Sequence, residues 1–305
     1  MFVGTNGIIV NELGQVLLIC RDDTGNLAPP GGSLEADELP PEGVAREVLE
    51  ETGLKTLPVR LVGLHFLDLQ PGYLTFVFRC LQKGGELQTS EESLQVGYFK
   101  TEPFPGPMFS AHEERVALGL THTAVRPYWG IHPSSWRMRL GRWFLRNVTY
   151  RRKDWQRKRD GRPPFVPPPA WSVGAFAVIR DEAGGVLWVR RNDLDLWNLP
   201  GGRSEAMEPP WETAVRETRE ETGLQVELND LTGVYVYRER PHLILVFTAV
   251  VTGGKLTTGA ESAEFGYFAP GAEPENSVPQ HQERAADAVN FKDQIQFRWQ
   301  TPWKK

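Results

Sequence analysis

The sequence predicts an α/β protein built as two sandwiches with mixed sheets, and three observations carry that prediction. The first is a run of glycines and acids that occurs twice. Gly31-Gly32, Glu38, Arg46-Glu47, Glu50-Glu51 and Gly53 return as Gly201-Gly202, Glu208, Arg216-Glu217, Glu220-Glu221 and Gly223. The second is that the flanks repeat as well, which marks an internal duplication. Val16 to Arg21 matches Val186 to Arg191, Gly97-Tyr98-Phe99 matches Gly266-Tyr267-Phe268, and His112 with Arg115 matches His281 with Arg284. The third is that each unit alternates short apolar runs with helical patterns, which places helices on the faces of a sheet.

In order through the first unit, Ile8 to Val10, a turn at Glu12-Leu13-Gly14 and Val16 to Cys20 read as a β-hairpin. A glycine loop follows, then a helix starting at Pro40 or Pro41, where proline fits the first turn. On that helix Glu47, Glu50 and Glu51 stand at i, i+3 and i+4 and share one face. Ala45, Val48, Leu49 and Thr52 are expected to face the core, and Gly53 to close the helix in a left-handed cap. Leu61 to Phe66 and Leu74 to Cys80 read as strands, Gly84-Gly85 as a turn, Val96 to Phe99 as a short strand, and Ala111 to Leu120 as a closing helix. The second unit repeats this order. The expected organisation is a domain over 1–121, a basic Trp/Arg-rich helix with a Pro-rich linker over 122–170, a second domain over 171–290, and a tail over 291–305.

Composition is that of an ordinary globular protein, with no apolar run near the roughly 20 residues that cross a bilayer. No basic and then apolar pattern opens the chain, and Cys20 and Cys80 sit in apolar runs as buried, reduced thiols, so the expected location is cytoplasmic. The net charge of −5 is unevenly placed. Residues 126–162 hold twelve Arg or Lys against Asp154 and Asp160, a surplus of ten that leaves −15 for the remainder. Trp136, Leu140, Trp143, Phe144 and Val148 fall at helical spacing there, with Arg137, Arg139, Arg142 and Arg146 on the other side. Such a segment suits nucleic acid or an anionic membrane, or else packs between the acidic repeats.

Three carboxylates crowded on one helix face repel one another unless a cation sits among them, and hard oxygen donors favour Mg²⁺ or Mn²⁺ bridging substrate phosphates. Arg46, at the edge of the face, pairs with Glu38 or orients a ligating glutamate; Arg216 and Glu208 stand likewise. The backbone at Gly32 and Gly202 lets the chain approach the ion. No His/Cys zinc spacing and no Ser or Cys nucleophile arrangement is visible.

Both runs resemble the Nudix box, in which a glycine, five residues, a glutamate and seven residues precede Arg-Glu-aliphatic-x-Glu-Glu-x-Gly-aliphatic. The chain is similar to a tandem Nudix hydrolase. The resemblance implies Mg²⁺-dependent attack of water on the diphosphate of a nucleoside diphosphate linked to another group, such as ADP-ribose or a (d)NTP. It implies metal binding at Glu47, Glu50 and Glu51 and at Glu217, Glu220 and Glu221. In such a family Glu92 and Glu261, matched in the loop before the Gly-Tyr-Phe strand, are candidates for a further ligand or the general base. Arg21 and Arg191, each ending a strand before the glycine loop, are candidate phosphate contacts; His112 and His281 read as structural.

Two departures stand out. Thr218 replaces the aliphatic residue of the box, at an expected small packing cost, and Leu27-Ala28-Pro29-Pro30 departs from the family's habitual approach where Trp197-Asn198-Leu199-Pro200 keeps it. Neither removes a ligand, so two competent sites are expected, the alternative being one regulatory repeat. Substrate identity is weakly marked: Pro71 and Pro241 lie off the offset of the ADP-ribose hydrolases, and Tyr73, Tyr235 and Tyr237 serve equally as base-stacking or core residues.

Overall fold

The eight residues Phe2–Ile9 form β1, which pairs along its full length, in parallel, with β5 (Tyr73–Gly85). Between them lie β2 (Val16–Arg21), β3 (Leu27–Ala28), α1 (Pro40–Thr52) and β4 (Leu54–Asp68); β6 (Ser93–Phe99), α2 (Ser110–Thr121) and β7 (Tyr128–Pro133) follow. In this computed structural model all residues are described except 91–92, 145–146, 149, 162–165, 194, 239, 260–261 and 304–305. One sheet runs β1-β5-β4-β7, with β4 antiparallel to β5 and parallel to β7, and a second runs β3-β2-β6. Val44 and Val48 of α1 share a core with Leu64, Phe66, Leu74 and Phe76. Val116 of α2 packs with Ile8, Val62 and Val77 on the other face. The result is helix, sheet, helix, as the alternation of elements requires.

After α3 (Trp136–Phe144) and α4 (Tyr150–Arg159) the pattern recurs. It comprises β8 (Ser172–Ile179), β9 (Val186–Arg191), β10 (Trp197–Asn198), β11 (Gly201–Arg203), α5 (Pro210–Thr222), β12 (Leu224–Tyr237), β13 (His242–Gly254), β14 (Ser262–Phe268), α6 (Pro279–Val289) and β15 (Gln296–Gln300). The sheets run β11-β8-β13-β12-β15 and β10-β9-β14. β11 is a difference between the repeats. It pairs with three residues of β8, whereas the first repeat has only the bridge between Gly4 and Ser33.

Several sequence expectations are corrected. The expected hairpin is not one: β1 joins the first sheet and β2 the second, and only Val10 and Val16 bridge. An Asn11 turn reverses the chain, its side-chain oxygen accepting from the Leu13 and Gln15 amides at 3.0 and 2.9 Å. Apolar alternation specifies a strand without specifying its partner. On α1, Leu49 is exposed and Val44 takes the core position. Cys20 is only half-buried, its thiol directed at the Gly25 carbonyl, while Cys80 is buried; both are free. Gly84-Gly85 ends β5, paired to Leu54 and Lys55, instead of forming a separate turn.

One further strand lies beyond each repeat as the sequence delimits it: β7 after residue 121 and β15 after residue 290. These strands join the halves. Trp129 of β7 meets Phe247 edge-on at 5.7 Å, and Phe297 of β15 meets Phe78 at the same distance. Phe78 lies opposite Leu61 on β4 and Phe247 opposite Leu231 on β12, so the contact is reciprocal, as at a two-fold interface. Met1 and Trp171 exchange backbone hydrogen bonds at 3.1 and 2.8 Å, and one buried core runs through both halves. On α3 and α4, Trp136, Leu140, Trp143 and Trp155 are exposed. The Phe144 side chain, Arg146 and the Arg162–Phe165 part of the expected linker lie outside what is described.

Candidate active site

The two acidic helices are held by the same bonds. Proline occupies the first turn of each, and each ends on a glycine in the left-handed region, Gly53 at φ 74° and Gly223 at φ 76°. Their amides return to Leu49 and Arg219 carbonyls, the αL cap that a side chain at these positions would strain. Glu51 is buried, and its Oε2 accepts from the Gly31 amide at 2.7 Å; buried Glu221 accepts from Gly201 at 2.9 Å. Arg46 forks onto Glu38 at 2.5 and 3.0 Å, reaches Glu50 at 3.0 Å and lies 3.1 Å from Glu47. Arg216 forks onto Glu208 at 2.7 and 2.8 Å and lies 2.9 Å from both Glu220 and Glu217.

The electrostatics follow from this crowding. Burial opposes the charge on Arg46, but the Glu38 bond and the nearby Glu47 and Glu50 outweigh it and raise its pKa. Glu208 raises that of Arg216 in the same way. Burial, with Glu220 and Glu208 close by, pushes the Glu217 carboxyl up, against the pull of Arg216. A carboxylate made costly to ionise by burial and by acidic neighbours is what a bound cation relieves. The close approach of backbone to this face also fits an ion. A Cβ on Gly32 would stand 2.6 Å from the Glu47 carboxylate, and one on Gly202 would stand 2.6 Å from that of Glu217. Oxygen donors from three glutamates per repeat suit a hard divalent ion.

Above the second box lies a cavity of about 240 Å³, whose lining includes Phe176, Arg191, Asn198, His242, His281 and Trp303. Asn198 is buried and its side-chain oxygen has no partner. His281 receives the Leu199 amide on Nδ1 at 3.1 Å, and its Nε2 lies 3.2 Å from Arg284 Nη1. Burial, then Arg284, hold its pKa well below 6.5. In the first repeat the matching wall differs. Tyr73 stands opposite Phe2 as His242 stands opposite Ser172. Its hydroxyl lies 2.5 Å from where a Gly4 Cβ would be. Asn6 takes the place of Phe176 and accepts from Arg115 at 2.9 Å.

Of the other sequence candidates, Arg21 and Arg191 fork onto Asp23 and Asp193 at 2.8 to 3.0 Å, and Arg191 also lines the cavity. Burial lowers His112 to about 3. Tyr235 is buried with its hydroxyl on Asp287, and Tyr237 accepts from Arg284. Thr218 is fully buried with its hydroxyl unpartnered, so the cost is an unmade hydrogen bond as well as a packing change. Glu92 and Glu261 lie outside the described residues. Their neighbours were overlooked: Ser93 and Ser262 donate to the carbonyls of Glu51 and Glu221, tying β6 and β14 to the ends of the acidic helices. The repeated Glu-Ser pair carried that signal. Nothing in the sequence pointed to Trp303.

Comparison with known proteins agrees with this geometry. The family pattern of the NUDIX domain matches residues 2–117 and 170–288. A MutT-like protein of Streptomyces ambofaciens is 38% identical over 132 residues, covering 43% of this chain and 85% of that protein. An ADP-ribose pyrophosphatase of Methanocaldococcus jannaschii is 35% identical over 103 residues, covering 32% of this chain and 61% of that protein. A mouse 8-oxo-dGDP phosphatase is 34% identical over 113 residues, covering 35% of this chain and 34% of that protein.

Proposed function

This chain belongs to the NUDIX family and is a Nudix-type pyrophosphohydrolase; on that premise we propose that each repeat is an Mg²⁺-dependent active site hydrolysing a diphosphate bond in a nucleotide. The observation that carries the proposal is the bond-for-bond match of the acidic faces, from Glu51 on Gly31 and Glu221 on Gly201 to the two arginine forks. Glu47, Glu50 and Glu51, with the Gly32 backbone, hold the ion in the first repeat; Glu217, Glu220, Glu221 and Gly202 do so in the second. A divalent ion there supplies charge neutralisation for phosphate oxygens and a more acidic water. Arg46 and Arg216 keep the glutamates in place. Arg21 and Arg191 receive a substrate phosphate. Glu92 and Glu261 accept the proton of the attacking water as its oxygen bonds phosphorus and the bridging P–O bond breaks.

The substrate is a nucleotide sugar such as ADP-ribose or a (d)NTP, and the second cavity supports a nucleotide. Phe176 and Trp303 offer aromatic faces for a base. The free Asn198 oxygen offers an acceptor for a base amine or imide. A panel of nucleotides with Mg²⁺ and product identification, run on the wild type, Glu51→Gln and Glu221→Gln, tests the reading. Each variant should lose one activity; inertness of the wild type across the panel would overturn it in favour of a binding role.

A second reading concerns residues 126–162. Trp136, Leu140 and Trp143, at i, i+4 and i+7 on α3, are exposed, which supports contact with an anionic membrane over packing between the repeats. Salt-sensitive retention on anionic liposomes, compared with RNA, separates the two partners.

A further inference from the structure

Behind the first sheet, on the face that carries α2, the fold gathers three donors that are far apart in sequence. His65 of β4 is fully buried, and its ring lies parallel to that of His132 on β7, with centroids 4.9 Å apart and planes at 10°. His65 Nδ1 is 2.6 Å from His132 Nε2, and His132 Nδ1 is 3.2 Å from Glu114 Oε2. One donor atom from each residue falls within 4.8 Å of the others, the one such group of three among the described residues. We propose that His65, Glu114 and His132 form a Zn²⁺ site, separate from the carboxylate helices, that fastens β7 to β4 and α2.

Three observations lead there. Two imidazoles and one carboxylate make a borderline-soft donor set that suits zinc and leaves a position open for water, unlike the all-oxygen faces of α1 and α5. Burial holds His65 neutral, with a pKa of about 2, and lowers that of His132, so both rings present lone pairs. His65 Nδ1 and His132 Nε2 face each other at 2.6 Å, too close for both to carry protons, so a lone pair already points into the site.

The second repeat supplies the contrast. Tyr235 and Gln300 hold the places of His65 and His132, as the register of β4 on β7 and of β12 on β15 shows, and Glu283 matches Glu114. There the polar groups satisfy one another without a metal. Gln300 donates to Glu283 at 2.6 Å, and the Tyr235 hydroxyl goes to Asp287.

Ligand nitrogens on one tetrahedral zinc sit about 3.3 Å apart, so the rings must separate by under about 1 Å. β7 is the edge strand of its sheet and the Glu114 side chain is part-exposed, so both can give. Arg115 lies nearby and is bonded to Asn6 and Thr75, and its charge weakens the site without filling it. Since Trp129 of β7 packs on Phe247, metal here also steadies the joint between the repeats.

The test uses Co²⁺ as a spectroscopic probe on the full chain, with excess Mg²⁺ to occupy the carboxylate faces. One Co²⁺ per chain should give the intense visible bands of a four- or five-coordinate N/O site, and Zn²⁺ should displace it. His132→Gln, which installs the residue of the second repeat, should weaken Co²⁺ at least tenfold while leaving hydrolysis and the circular dichroism spectrum unchanged. Glu114→Gln should do likewise. Intense bands that survive both substitutions, or none in the wild type, would overturn the proposal. Neither result bears on the Mg²⁺-dependent activity, which is assayed separately.

Discussion

Across the two repeats, the acidic helix face and the wall opposite it have diverged to very different extents. Every bond of Arg46 to an acid has its partner at Arg216, and the glycine amides grip Glu51 and Glu221 alike. Opposite them, Tyr73 and Asn6 stand where His242 and Phe176 line a cavity. The charge chemistry tolerates little change because each carboxylate has several simultaneous partners. The opposite wall is under no such constraint, so duplication leaves it free to diverge.

The comparison breaks most decisively at the carboxylates. Glu51→Gln should cut the activity of the first repeat, and Glu221→Gln that of the second, by at least about a hundredfold in kcat, and the double variant should be inert. Complete loss of one and the same activity in both single variants would show that the repeats do not act separately. Next in size, His242→Tyr should fill the second cavity and lower its kcat/KM about tenfold, roughly 1.4 kcal/mol. Tyr73→His should alter the first repeat's substrate preference while leaving the second's unchanged, as a two-nucleotide competition assay would reveal.

Acid should act on both repeats through their matched histidines. The pKa values of His112, at about 3, and of His281, well below 6.5, are lowered by burial in the fold. Each therefore contributes stability that is full above the unfolded value near 6.5 and is lost as pH falls toward the folded one. The loss is at most about 1.4 kcal/mol per residue per pH unit. Urea midpoints at pH 7.5 and 5.5 should fall for the wild type and change less in His281→Gln. The smallest effect sits inside the box. Thr218→Val should stabilise by about 1 kcal/mol by removing an unpartnered hydroxyl, and Val48→Thr should destabilise by a similar amount, read by thermal melting.

The sequence disclosed what depends on local spacing. Three glutamates on one helix face, the glycine cap and the arginine fork all follow from offsets of a few residues, and the duplication made each visible twice. It concealed what depends on partners distant in the chain. The hairpin expectation failed because β1 pairs with β5, some 70 residues on. Trp129 and Phe297 hold matching places yet share no residue identity, so β7 and β15 stayed hidden although they join the halves. His65, Glu114 and His132 lack zinc spacing and meet only after β7 is laid beside β4.

The most direct test asks whether cations sit on both acidic faces. Mn²⁺ binding followed by electron paramagnetic resonance, with a non-hydrolysable nucleotide present, should show occupancy in both repeats. Glu51→Gln should remove one share of it, Glu221→Gln the other, and the double variant both. Undiminished Mn²⁺ uptake by the double variant would contradict the account.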